Sequence, residues 1–78
     1  MSGGAKLGYM EKRELSALPQ QIEAMEQELA GLFEQMSAPD FYKTDAQTVS
    51  RMSARQQELE SSLEIAYARW EDLEARDV

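Results

Sequence analysis

The stretch LSALPQQIEAMEQELAGLFEQM, residues 15 to 36, decides the fold. Its apolar positions Leu15, Leu18, Ile22, Met25, Leu29, Leu32 and Met36 are spaced 3-4-3-4-3-4. That is the about 3.5-residue repeat of a coiled-coil seam, and a strand, with its period of about two, does not produce it. A second stretch carries the same rhythm: Val49, Met52, Gln56, Leu59, Leu63, Ala66, Trp70 and Leu73, spaced 3-4-3-4-3-4-3. Each stripe needs one partner, and the two satisfy each other if the chain folds back between them. Folding back pairs positions whose numbers total 88: Leu15 with Leu73, Leu18 with Trp70, Ile22 with Ala66, Met25 with Leu63, Leu29 with Leu59, and Leu32 with Gln56. The expectation is an all-α, two-helix antiparallel coiled-coil hairpin with a short helical turn in the connection. Residues 1–8 read as a flexible lead-in or linker and 9–76 as the hairpin. Within it, helix 1 covers about 11–36, the turn 37–44 and helix 2 about 45–76.

Local punctuation supports the fold-back. Ser37-Ala38-Pro39-Asp40 reads as a small capping box opening one helical turn that ends in Phe41 and Tyr42. Thr44 is placed to cap the second helix, with Gln47 reaching back. The two turn aromatics are expected to fold over the end of the seam, with an exposed contact site as the other reading. Pro19 lacks the N–H that would bond residue 15, so one axis with a local break is expected there. Gln56 is the polar member of the seam, and it serves either to fix register or to sit at a wet edge. Tyr67 and Trp70 form an apolar base beside Leu15 and Leu18, onto which Tyr9 is expected to fold.

Composition removes most chemistry. The 78 residues contain no Cys and no His, which excludes disulfides, thiol catalysis, a serine or cysteine triad and a zinc protease site. Carboxylates are plentiful, as in Glu60 and Glu64 or Glu71, Asp72 and Glu74, but two helices offer no pocket to raise a pKa. These read as solvated helix surface. The Gly3-Gly4 pair lacks the context of a phosphate loop. No catalytic, cofactor or metal residues are assigned. No apolar run approaches a membrane span and no leader resembles a signal peptide, so a cytoplasmic, monomeric chain without membrane contact is expected.

The formal charge of -7, from 8 basic and 15 acidic residues, weighs against strong non-specific DNA binding. The basic residues are nonetheless clustered by position. Lys6, Lys12, Arg13, Arg69 and Arg76 fall at one pole of a hairpin, and Lys43, Arg51 and Arg55 at the other. Phosphate contact at one pole is one reading, and surface pairing of Arg13 and Arg69 with Glu14, Glu71 or Glu74 is the other.

Three segments carry a family resemblance. Lys6-Leu7-Gly8-Tyr9-Met10-Glu11-Lys12-Arg13-Glu14-Leu15, followed by Leu18-Pro19 and Ile22-Glu23, resembles the opening of the C-terminal domain of ABC-F ATPases of the Uup type. Pro39-Asp40-Phe41-Tyr42 resembles that family's turn, and Tyr67-Ala68-Arg69-Trp70-Glu71-Asp72-Leu73-Glu74 its closing segment. The likeness covers about residues 6 to 75, with Gly8, Met10 and Ser37-Ala38 departing from the usual pattern. The resemblance implies a longer, cytoplasmic parent with two ATP-binding cassettes, using ATP and Mg, in which this hairpin is non-catalytic. It implies contact with DNA or with the ribosome and its RNA, and a role linked to translation or DNA handling. Carried over by position, the nucleic-acid-binding set would be Lys6, Tyr9, Lys12, Arg13 and Arg69. The other reading is a structural or regulatory spacer that docks on the parent's ATPase cassettes.

Overall fold

The computed structural model describes residues 7 to 77. Helix α1 runs Tyr9–Met36, a 3-10 turn covers Phe41–Lys43, and helix α2 runs Ala46–Arg76. The two helices lie antiparallel in a rod of 58 × 17 × 16 Å. We call the end where α1 starts and α2 finishes the base, and the end carrying the turn the tip.

The expected seam is the core. Leu18 and Ile22 of α1 and Leu59, Leu63, Ala66 and Leu73 of α2 are buried. Leu15, Met25, Leu29 and Trp70 pack against the main cluster. Burying a leucine-sized side chain is worth roughly 1.5–3 kcal/mol, so these positions hold the hairpin together. Register follows from the polar bonds that cross between helices. Glu28 bonds Arg55 and Glu14 bonds Arg69, pairs totalling 83, while Glu26 bonds Tyr67, totalling 93. These are the two flanks of one interface, and their midpoint is the expected 88.

Burial is uneven along the rod. Toward the tip, Leu32, Met36, Val49, Met52 and Gln56 are only half-buried. Gln56 bonds Glu60 of its own helix at 3.5 Å and makes no bond across the seam, which favours the wet-edge reading.

Several local expectations are corrected. Helix α1 passes through Pro19 without leaving helical geometry. The ring is on the exposed side, and only the bond to residue 15 is forgone. Asp45, rather than Thr44, caps α2. Its carboxylate accepts from the Thr48 N–H at 3.0 Å and from the Thr48 hydroxyl at 2.7 Å. A carboxylate at that position satisfies an orphan donor and also opposes the helix dipole. Ser37 ends α1 instead of opening a new turn, and the 3-10 turn starts after Asp40. Of the two turn aromatics, Phe41 is half-buried, whereas Tyr42 is 80% exposed.

The base is closed by Leu7, not by Tyr9. Leu7 is buried in one cluster with Leu18, Ala66 and Leu73, while Tyr9 is 73% exposed. The start of α1 explains the exchange. Glu11 reaches back to accept the Gly8 N–H at 3.1 Å, which turns the chain so that Leu7 points inward and Tyr9 outward.

Candidate functional site

Three of the residues singled out from the sequence come together on one face of α1. Tyr9, Lys12 and Arg13 line, with Ser16 and Ala17, a shallow hollow of about 440 Å³ near the base. They recur at helical spacing, and the small Ser16 and Ala17 leave the hollow open. The Arg13 guanidinium stands 5.9 Å from the centre of the Tyr9 ring, within reach of a cation–aromatic attraction. Among the described residues, neither Lys12 nor Arg13 has a carboxylate partner. Lys6 lies outside the described residues.

Arg69 is placed elsewhere. Its guanidinium grips Glu14 of α1 through two bonds, Nε at 2.7 Å and Nη2 at 2.9 Å, and approaches Asp72 at 3.6 Å. Arg76 continues the chain, reaching Asp72 at 3.2 Å and Glu11 at 2.9 Å. Together these groups form a clasp from the start of α1 to the end of α2. A third arginine works the same way further along: Arg55 holds Glu28 by two bonds at 2.6 and 2.8 Å and also bonds Glu58. The bound guanidiniums hold the Glu14 and Glu28 carboxyls below the usual carboxylate range. For Glu11 the Gly8 N–H is the larger cause and Arg76 the next. Of the two readings of Arg69, pairing with Glu14 is the one the structure bears out, while the pairing of Arg55 and Arg76 was not anticipated. Its signal was present, since Arg55, Arg69 and Arg76 recur at multiples of seven residues along one edge of α2.

The opposite flank has a different electrical character. There the Tyr67 hydroxyl donates to Glu26, an arrangement that raises the phenol's pKa. Glu60, Glu64, Glu71 and Glu74 share the edge of Tyr67 by their 4-3-4-3 spacing, and all are exposed. The rod therefore has one flank neutralised by Arg–Glu pairs and one left acidic. Among the described residues, cations without a carboxylate partner remain on the α1 face at the base and, at the tip, as Lys43 and Arg51.

No group of three or more potential metal ligands occurs among the described residues. No described helix is long and apolar enough to cross a membrane.

Comparison with known proteins bears on identity. A family model described as the ABC transporter C-terminal domain matches residues 6–75. The "ATP-binding protein Uup-like" of Haemophilus influenzae is 34% identical over 71 residues, which is 91% of this chain and 16% of that protein. The "ATP-binding protein Uup" of Escherichia coli K12 is 37% identical over 71 residues, 91% of this chain and 11% of that protein. The H. influenzae "ATP-binding protein Uup" is 34% identical over the same length. The chain thus spans less than a fifth of the length of these relatives. No solved structure matches. The matched family is a non-catalytic domain, and the buried seam, the closing clasp and the family match agree: this chain belongs to the ABC transporter C-terminal domain family, in the form found in Uup-like ATP-binding proteins.

Proposed function

We propose that this hairpin is the nucleic-acid-contacting arm of a longer, cytoplasmic, Uup-like ATP-binding protein, acting on DNA or on ribosomal RNA. Tyr9, Lys12 and Arg13 would form the contact face. The observation that carries this reading is the sorting of cations. Arg55, Arg69 and Arg76 are committed to carboxylates, while Lys12 and Arg13 are left unpaired beside an exposed aromatic ring. A ring face with adjacent cations offers stacking to a base and charge to a phosphate. Arg69 enters as a positioning residue, holding α1 against α2 beneath that face. The acidic flank repels a polyanion and limits its approach to the α1 side.

The test is a titration of the 78-residue chain with a short branched DNA duplex and with a structured RNA, at low and at physiological salt. Amide shifts centred on Tyr9 to Ala17 that weaken with salt are expected. Replacing Lys12 and Arg13 together by Glu should reduce the slope of log affinity against log salt by about 1.8 on duplex DNA, two phosphate contacts at about 0.9 each. No shifts at low salt, where attraction is strongest, would sink the proposal.

One observation favours a second reading. Met10 and Tyr9 are each 73% exposed at the base, an apolar pair that suits docking on the parent's ATPase cassettes. That role predicts altered ATPase activity of the parent when the hairpin is deleted, with nucleic-acid binding unchanged. ATP and Mg belong to the parent's cassettes in either case.

A further inference from the structure

The tip repeats the arrangement found at the base. Tyr42 is 80% exposed, and the Lys43 ammonium stands 5.9 Å from the centre of its ring, the same separation as Arg13 from Tyr9. No described carboxylate lies within ion-pair distance of Lys43. Lys43 also lines a hollow of about 390 Å³, with Gln35, Asp40, Phe41, Thr44 and Met52 among the other lining groups. The hollow is shallow and open to solvent, so it suits one edge of a ligand rather than a whole enclosed molecule.

Phe41 is half-buried against the turn, whereas Tyr42 stands in solvent with its ring face free to take a partner. The nearby charges are few. Asp45 is occupied by Thr48 at the start of α2, where it offsets the helix dipole. Asp40 lines the hollow itself. A phosphate entering the hollow would meet that carboxylate, whereas a base amino group would find an acceptor there. The phosphate is better placed on Lys43, the cation that lines the same hollow.

We infer that the tip is a second nucleic-acid contact, distinct from the base face, that takes one unpaired nucleotide. The base stacks on Tyr42 and turns its polar edge toward Asp40, Gln35 and Thr44, and the phosphate pairs with Lys43. The rod is 58 Å long, so the two contacts engage different strands or distant parts of one. The acidic flank between them disfavours a strand laid along the shaft on that side.

The experiment is a titration of the 78-residue chain with single-stranded octamers of deoxycytidine and of thymidine at low salt, read residue by residue. Expected are shifts at Tyr42, Lys43, Thr44 and the Gln35 side-chain amide, larger for the amino-bearing cytosine. Tyr42→Ala should weaken tip binding by about fivefold or more, the lower end of what stacking on an aromatic ring contributes, and Tyr42→Phe should retain it. Neither variant should move the melting temperature, because the ring is exposed. The Lys12→Glu, Arg13→Glu variant should leave the tip shifts in place, so failure at the base and failure at the tip are read separately. The inference is overturned by a tip that does not respond to either octamer, or by a Tyr42→Ala chain whose tip binds as tightly as the wild type. A tip that shifts with a poly-glutamate peptide and not with the octamers also overturns it, in favour of an acidic protein partner.

Discussion

Leu73 is fully buried near the end of α2, in one cluster with Leu7 and Leu18. Its replacement by Ala removes the side chain that joins the last turns of α2 to the start of α1. With no solvent exposure to discount, the cost should fall near the middle of the range for buried leucines, about 3 kcal/mol. For 78 residues, at about 2.1 cal/mol/K per residue, the unfolding entropy is about 0.16 kcal/mol/K. The melting temperature should therefore fall by about 18 °C. Circular dichroism at 222 nm follows the transition, and Ile65→Ala supplies the control. Ile65 is 70% exposed, and its loss should shift the midpoint by no more than about 3 °C, the effect of about 0.5 kcal/mol. Leu7→Ala combined with Leu73→Ala should be non-additive, as expected of two residues in one cluster. A fall of less than about 6 °C for Leu73→Ala would refute the assignment of the core. Purely additive behaviour with Leu7 would refute the closure of the base by the lead-in.

Acid should weaken the clasp. Glu14 and Glu28 are held below their ordinary value of 4.5 by hydrogen bonds from Arg69 and Arg55, and Asp45 below 3.8 by Thr48. A carboxyl whose folded pKa is depressed contributes stability above its unfolded pKa and loses it as pH falls through the folded value. Melting temperatures taken from about pH 6 to pH 2 should show that loss beginning near the unfolded values, and a Glu14→Gln, Glu28→Gln chain should show a smaller one. The alkaline side turns on Tyr67, whose hydroxyl donates to Glu26 only while protonated. That bond contributes below the phenol's ordinary value of 10.0 and is lost as pH rises through the raised folded value. NMR titration of the ring carbons should place Tyr67 above 10.0, and Glu26→Gln should bring it down. Hydrogen exchange should be faster at the tip than around Leu59 to Leu73, because Leu32, Met36, Val49 and Met52 are only half-buried.

The match of a family model to residues 6–75 places this chain among domains that occupy a small part of longer ATP-binding relatives. The structure adds a division of the arginines that the family name does not contain. Charges that hold the rod together lie on one flank, and the unpaired cations lie on the α1 face and at the tip. Nucleic-acid contact is proposed on the latter groups alone, so variants that test binding need not disturb the clasp.

The fold was legible because periodicity is a property of sequence. A 3-4 spacing of Leu, Ile and Met turns all of them to one side of a helix, and two such stripes joined by Pro39 and Asp40 leave antiparallel closure as the economical solution. The register of 88 followed from the same spacing. What the sequence could not settle were choices between near neighbours of similar chemistry. Thr44 and Asp45 both suit a cap, and the carboxylate prevailed because it takes two bonds from Thr48. Leu7 and Tyr9 both suit the base, and the bond from Gly8 to Glu11 selected Leu7 by turning the chain at the helix start. Arg13 and Arg69 looked alike as phosphate ligands, but only Arg69 stands opposite a glutamate across the seam. Pairing depends on which side chains from distant segments are brought face to face, and spacing along one strand of sequence carries that information only after the two helices have been docked.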